Sequence, residues 1–128
     1  MSSPPGQTGF DGLYGLELIE MGEERARARV VVRDELRQPG GAVHGGVYAA
    51  IAESLTSRAT ALAVAGDRKL AAPLSGQMSF LRPIADGAIH AVAVVRHRGR
   101  TTWVWEVAMS DDRGQLCVLT RMTTAILS

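Results

Sequence analysis

The residue best suited to chemistry in this sequence is Glu53, one of two charged side chains in the otherwise apolar or small segment 47–65. The other, Arg58, is five positions away, which is not the spacing of three or four that forms a local ion pair on a helix. Ser57 does lie at that spacing and could hold the carboxylate or a water molecule. This pair suits a general base or a nucleophile. The alternative is that Glu53 pairs with an arginine across a subunit interface.

A glycine-rich segment, 40–46, precedes these residues and reads Gly-Gly-Ala-Val-His-Gly-Gly. If a helix starts here, its unpaired backbone N–H groups and the positive end of its dipole favour a developing negative charge. The N–H of Gly45 is the predicted donor to a substrate carbonyl, and Gly46 allows close approach of the substrate. His44 either orients the loop or the substrate, or it caps the helix. The glycines could also serve a tight turn alone.

The elements that must position these groups follow from the hydrophobic pattern. Alternation of arginine with small apolar residues over 25–30 predicts a half-buried strand, the second of two between residues 15 and 33. A helix is predicted from about 44 to 66. Four further strands are predicted over 70–81, 88–98, 102–110 and 116–127, the last reached through the turn 111–114. Strands interrupted by one helix indicate an α+β layer in which the sheet curls around that helix.

The predicted helix has two faces that avoid charge. One face is an apolar stripe that comprises Val47, Ile51, Leu55 and Leu62. The opposite face consists of small, uncharged residues apart from Glu53, and comprises Ala49, Glu53, Ser57 and Thr60. A single sheet cannot cover both faces. We therefore expect a second subunit to cover the Glu53 face, in a twofold dimer.

Composition limits the class of protein. The chain has 14 Lys plus Arg against 13 Asp plus Glu and six aromatic residues, so no concentrated basic surface points to nucleic acid. Its one cysteine, Cys117, lies between apolar neighbours and reads as a core residue in a reducing cytoplasm. Residues 1–9 are predicted to be a flexible tail without the pattern of a secretory signal, and 10–128 a single domain. No metal-binding motif is apparent, and no segment is apolar enough to cross a membrane.

The combination of segment 38–46 (Gln-Pro-Gly-Gly-Ala-Val-His-Gly-Gly) with Ala52-Glu53-Ser54 and Ser57 resembles the hotdog thioesterases of the phenylacetic-acid-pathway type. Within that superfamily it is most similar to the branch of the Arthrobacter-type 4-hydroxybenzoyl-CoA thioesterase and the 1,4-dihydroxy-2-naphthoyl-CoA hydrolases. The resemblance extends over about 10–128 and includes segments 80–83, 99–107 and 121–127. It implies a hotdog fold, with an antiparallel sheet of about five to six strands curled around one long central helix.

The resemblance also assigns roles in an acyl-CoA thioesterase of aromatic substrates. It implies that Glu53 is the nucleophile or general base, that Gly45 supplies the oxyanion N–H, and that Gln38 and His44 orient the thioester. Ser57 would assist the hydrolytic water. In this family the site lies between two subunits, and a tetramer is implied. Related enzymes of the phenylacetyl type carry Asp and Asn where this chain has Glu53 and Gln38. At these two positions the chain is therefore more similar to the aromatic-acyl branch.

Coenzyme A brings phosphates, for which arginines are the natural partners. Arg82 precedes Pro83, and Arg96, Arg98 and Arg100 share one strand face if that strand stays regular. We expect Arg82, Arg98 and Arg100 to bind the phosphates, with Phe80 and Gly46 also contacting substrate. A solvated outer sheet face is the alternative for these arginines. No cofactor is needed, because thiolate is a good leaving group.

Two other functions are compatible with the fold. One is a hotdog hydratase or dehydratase, which would be expected to carry a different loop rich in histidine and proline. The other is a non-catalytic acyl-CoA binding protein. The presence of both Glu53 and Ser57 favours the thioesterase.

Overall fold

The structure, a computed structural model, describes residues 8–128. Two helices and six strands occur in that range, with short 3-10 turns at Asp34–Leu36 and Ala65–Asp67. In chain order they are α1 (Phe10–Tyr14), β1 (Glu17–Met21), β2 (Arg25–Val31), α2 (Gly45–Val64), β3 (Leu70–Phe80), β4 (Ala88–Arg98), β5 (Thr102–Ser110) and β6 (Leu116–Leu127).

The six strands form one antiparallel sheet in the order β1-β2-β4-β5-β6-β3. Strand β2 alternates exposed arginines with buried Ala26, Ala28 and Val30, as expected of a strand with one face exposed to solvent. The sheet curls around α2, which contacts every strand from β2 to β6. This α+β arrangement is the predicted hotdog fold, and the predicted limits of β4, β5 and β6 are confirmed.

Helix α2 buries a face that rotates along its length. Near its start the buried side chains include Tyr48, Ile51 and Leu55; near its end they include Thr60 and Val64. Two predicted positions were therefore wrong. Leu62 is 58% exposed, whereas Thr60 is fully buried and its hydroxyl accepts a hydrogen bond of 2.8 Å from the Trp105 indole N–H. The sheet supplies the reason at Thr60, because the Trp105 side chain of β5 reaches this side of the helix.

The start of the chain contains an element that the sequence pattern did not reveal. Helix α1 is a single turn that ends at Gly15, whose φ of 80° gives the left-handed C-cap that glycine adopts readily. The predicted tail, 1–9, lies mostly outside the described residues, and the domain limits remain a prediction. Within 8–128, no helix combines the length and apolar character needed to span a bilayer.

Candidate active site

The glycine-rich turn at the start of α2 is held rigidly by its backbone. The Val43 N–H donates to the Ile84 carbonyl and the His44 N–H to the Leu36 carbonyl, each at 2.8 Å. The His44 side chain caps the helix, because its Nδ1 accepts a hydrogen bond of 2.9 Å from the Gly46 N–H. The structure therefore shows His44 as a helix cap that fixes the turn.

The backbone N–H of Gly45 is the unpaired hydrogen-bond donor of this turn. Its N–H has no hydrogen-bond partner among the described residues, and it lies at the first position of a 20-residue helix. The helix dipole and the unpaired N–H together favour negative charge here. A Cβ on Gly45 would lie 3.1 Å from the Phe80 ring, so a larger residue at this position would require the ring to shift.

A cavity of about 380 Å³ opens beside this donor. It brings together Gln38, Gly45, Phe80 and Arg82, four residues that the sequence analysis placed in the site. The lining is completed by Ala42, Val43, Tyr48, Leu81 and Pro83. A residue with a side-chain amide, one with an unpaired backbone donor and one with a guanidinium thus line a largely apolar hollow, as expected of a site for a small molecule with an anionic end.

Glu53 does not lie in this cavity. Its side chain is exposed in the middle of α2 and makes no hydrogen bond or ion pair with any residue in 8–128. It follows Gly45 by eight residues, which corresponds to about 12 Å along the helix axis. Ser57 is one turn further on. Its hydroxyl is shielded from solvent and has no hydrogen-bond partner within the described chain.

The remaining predicted arginines lie at the opposite end of α2. Arg98 and Arg100 line a second cavity of about 250 Å³, together with Asp67, Lys69 and Trp103. Arg98 lies over the Trp103 ring, 4.5 Å from its centroid, and its guanidinium is 3.2 Å from Glu23. The expected common strand face was wrong. A register shift between Val95 and His97 interrupts the alternation at Arg96, and Arg100 follows the end of β4.

A buried polar cluster, which sequence reasoning missed, joins α1 to α2. The carboxylate of Asp11 accepts hydrogen bonds from Tyr14 at 3.0 Å, Ser54 at 2.7 Å and Arg58 at 2.6 Å. Burial by itself raises the pKa of Asp11, but these hydrogen bonds and the charge of Arg58 outweigh it and hold the pKa below its ordinary value. The unusual Arg58 in an apolar helix was the signal in the sequence, but its partner lies 47 residues away.

Cys117 is fully buried, and burial raises the pKa of its thiol. A thiol that resists ionisation is a poor nucleophile. The prediction that Cys117 is a core residue is confirmed.

A curled antiparallel sheet around one long helix defines the hotdog fold. Residues 40–118 match the family model of the thioesterase superfamily. The chain is 30% identical to the 1,4-dihydroxy-2-naphthoyl-CoA hydrolase of Escherichia coli, over 95% of this chain and 89% of that protein. It is 31% identical to the proofreading thioesterase EntH of Cronobacter turicensis, over 88% and 82% of the two chains.

Solved structures show the same relationship. A thioesterase from Haemophilus influenzae superposes with a TM-score of 0.88 at 29% identity, covering 94% of this chain and 84% of its own. The protein belongs to the thioesterase superfamily. It is an enzyme of the hydrolase class that acts on thioesters.

Proposed function

We propose that the protein is an acyl-CoA thioesterase that hydrolyses an aromatic acyl-CoA to the free acid and coenzyme A. The observation that carries this proposal is the unpaired N–H of Gly45 at the start of α2, a residue that lines a cavity together with Gln38 and Arg82. The aromatic class rests on the resemblance to the aromatic-acyl branch, and it agrees with similarity to a naphthoyl-CoA hydrolase.

In the proposed reaction, the thioester carbonyl accepts a hydrogen bond from Gly45, which stabilises the charge that develops on its oxygen. The Glu53 carboxylate either attacks the carbonyl carbon or removes a proton from an attacking water. In the first route an anhydride forms as the carbon–sulfur bond breaks, and water then hydrolyses it. Both routes release coenzyme A as the thiolate and the acyl group as an acid. Ser57 would hold the water, and His44 holds the turn.

Glu53 and Gly45 must come from different subunits for this chemistry. A separation of about 12 Å along one helix is too long for two groups that must both lie about 3 Å from the same carbonyl. A second copy whose helix runs antiparallel would bring its Glu53 beside Gly45. In such an antiparallel pair, Gly45 of each helix lies beside Glu53 of the other, so the twofold axis passes near the midpoint of these two positions, Ala49. The small, exposed side chain of Ala49 permits close approach of the helices.

The same symmetry explains the two separated groups of arginines. The end of the second copy's α2 would extend about 16 Å beyond Gly45 of the first. Its Arg98 and Arg100 would therefore lie on the same side as Arg82, at a distance suited to the phosphates of an extended coenzyme A. We propose that Arg82 of one subunit and Arg98 and Arg100 of the other bind these phosphates.

Strand β3 provides a surface for this dimer. It lies at one edge of the sheet, and side chains on both of its faces are exposed, including Leu70, Leu74 and Phe80. A long unpaired apolar edge is a template for another strand, so we propose that two β3 strands pair across the twofold axis.

The proposal also includes assembly of two dimers into a homotetramer, which rests on the family resemblance. It includes a cytoplasmic location, which rests on the single cysteine.

The deciding experiment measures thiol release from a panel of aromatic and aliphatic acyl-CoAs. We expect aromatic thioesters to be hydrolysed and Glu53→Ala to lose about two orders of magnitude or more in kcat. Glu24→Ala, which removes another exposed carboxylate, is the matched control and should be fully active. Undiminished activity of Glu53→Ala would show that Glu53 is an interface charge. Binding of acyl-CoA without turnover would favour the non-catalytic binding protein.

A further inference from the structure

Helix α2 carries four serine and threonine hydroxyls within about two turns, at positions 54, 56, 57 and 60. Three of them have used their hydrogen. The Ser54 hydroxyl donates to the Asp11 carboxylate at 2.7 Å. Those of Thr56 and Thr60 each donate at 2.7 Å to the backbone carbonyl four residues earlier. Only the hydroxyl of Ser57 is left without a partner within 8–128, although it is shielded from solvent.

The neighbours of Ser57 on the helix surface explain why its hydroxyl stays unpaired. Side chains three and four positions apart are neighbours on a helix, which makes Ser54 and Thr60 the two hydroxyls beside Ser57. Both donate to other groups. Ala61, four positions further on, carries no polar side chain, and Glu53, four positions earlier, is the remaining polar neighbour. The surroundings therefore direct the Ser57 hydroxyl towards Glu53 or towards a ligand beside it.

The sheet takes part in this arrangement through Trp105 of β5. Its indole N–H donates to the Thr60 hydroxyl oxygen at 2.8 Å, and both side chains are fully buried. Thr60 is about 20° around the helix from Glu53, so the indole reaches the same helix face as Glu53 and Ser57. A buried indole N–H needs an acceptor. If Thr60 did not supply one, the next hydroxyl along this face would be that of Ser57.

We propose that Trp105 and Thr60 are positioning residues that keep the Ser57 hydroxyl unpaired for the water of the hydrolytic step. This inference rests on the proposed function and adds two residues to it. Neither lines the cavity at Gly45, so both act through Ser57 and not on the substrate. A buried hydroxyl left unpaired costs stability, and a fold that engages both neighbouring hydroxyls elsewhere reserves it for a ligand.

The hydrogen bond itself is tested by NMR, without any assay of activity. The chain has two tryptophans, so Trp105→Phe assigns the two indole N–H signals of a ¹⁵N-labelled sample. Thr60→Val should shift the Trp105 signal. Adding Ser57→Ala should shift it again, because the indole N–H then donates to Ser57, whereas Ser57→Ala alone should leave it within a linewidth. A signal that does not respond to Ser57 in the Thr60→Val background would overturn the inference.

The effect on catalysis is tested with the best substrate of the acyl-CoA panel, with rates normalised to the folded fraction from circular dichroism. Thr60→Val should lower kcat about tenfold and change KM by less than about twofold, because no substrate contact is removed. Thr60→Ser retains the hydroxyl and should retain kcat. Adding Trp105→Phe to Thr60→Val removes the donor that captures Ser57 and should recover most of the lost kcat.

Thr124→Val is the matched control. Thr124 is a fully buried threonine of β6 whose hydroxyl has no partner within 8–128, so the same chemical change there should leave kcat unaltered.

The outcomes separate this inference from the proposed function. A double variant that is no more active than Thr60→Val would show a merely structural role and overturn the inference, as would an unimpaired Ser57→Ala. The proposed function would stand in both cases if the wild type cleaves thioesters. If the indole signal follows the predicted pattern but the wild type cleaves no thioester, the hydrogen-bond arrangement is supported and the proposed function is wrong.

Discussion

At the scale of single residues, Gly45 combines a chemical and a steric requirement. Its N–H is unpaired, and the Phe80 ring occupies the space where a Cβ would project. Gly45→Ala should therefore lower the free energy of unfolding by about 1 kcal/mol, because the ring must shift. Adding Phe80→Leu to this variant should recover most of that loss. Chemical denaturation of the two single variants and the double variant would measure the coupling, and simple additivity would contradict the contact.

We expect His44 to act through Gly46. Its Nδ1 accepts the Gly46 N–H, so His44→Ala removes a helix cap and should cost about 1 kcal/mol of stability. His44→Asn, whose side-chain oxygen can accept the same hydrogen bond, should restore both stability and turnover. Restored stability with turnover still lost would instead indicate direct contact of His44 with the substrate.

At the scale of elements, the attachment of α1 to α2 depends on the ionised form of Asp11. Because its folded pKa is held below the ordinary value of 3.8, the cluster stabilises the fold fully above that pH, and the contribution is lost as pH falls through the lowered folded pKa. Asp11→Asn should lower the free energy of unfolding by about 2 kcal/mol at neutral pH.

The pH dependence is the specific readout of this attachment. The stability difference between the wild type and Asp11→Asn, measured by urea unfolding, should be constant near neutrality and shrink below about pH 4. Glu23→Gln, which removes an exposed carboxylate paired with Arg98, is the control and should show little change. A difference that persists unchanged in acid would mean that the charge of Asp11 is not what holds α1.

At the scale of the whole molecule, the distance between Glu53 and Gly45 predicts that each active site needs two subunits. Glu53→Ala and Gln38→Ala homodimers should each be nearly inactive. After subunit exchange in an equal mixture, half of the dimers would be mixed, and each of these would hold one intact site. The mixture should then recover about a quarter of wild-type activity.

Subunit exchange can be followed independently with two affinity tags. Exchange without recovery of activity would contradict a shared site, and the two groups would then have to meet in one chain by a rearrangement of α2.

The local elements were predictable from the sequence because strands and helices have fixed periods. The alternation in 88–98, 102–110 and 116–127 gave the limits of β4 to β6, and the glycine-rich segment gave the start of α2. Four of the predicted site residues, Gln38, Gly45, Phe80 and Arg82, meet in one cavity. Gly45 was identifiable because it lies in the glycine-rich segment at a helix start, and Arg82 because coenzyme A calls for an arginine partner. Gln38 and Phe80 came from the family resemblance.

Tertiary structure decided the features that depend on how elements cross. Asp11 and Arg58 are 47 residues apart, so no local spacing could pair them. The exchange of Thr60 and Leu62 between buried and exposed positions depends on which strand side chains reach the helix, such as Trp105 at Thr60, and an ideal helical period omits this. The sequence by itself determined the chemistry available, a carboxylate and a helix N-terminus. Only the folded chain showed that the cavity at Gly45 contains Gln38 and Arg82 but not Glu53, because the lining of a cavity depends on how distant segments pack.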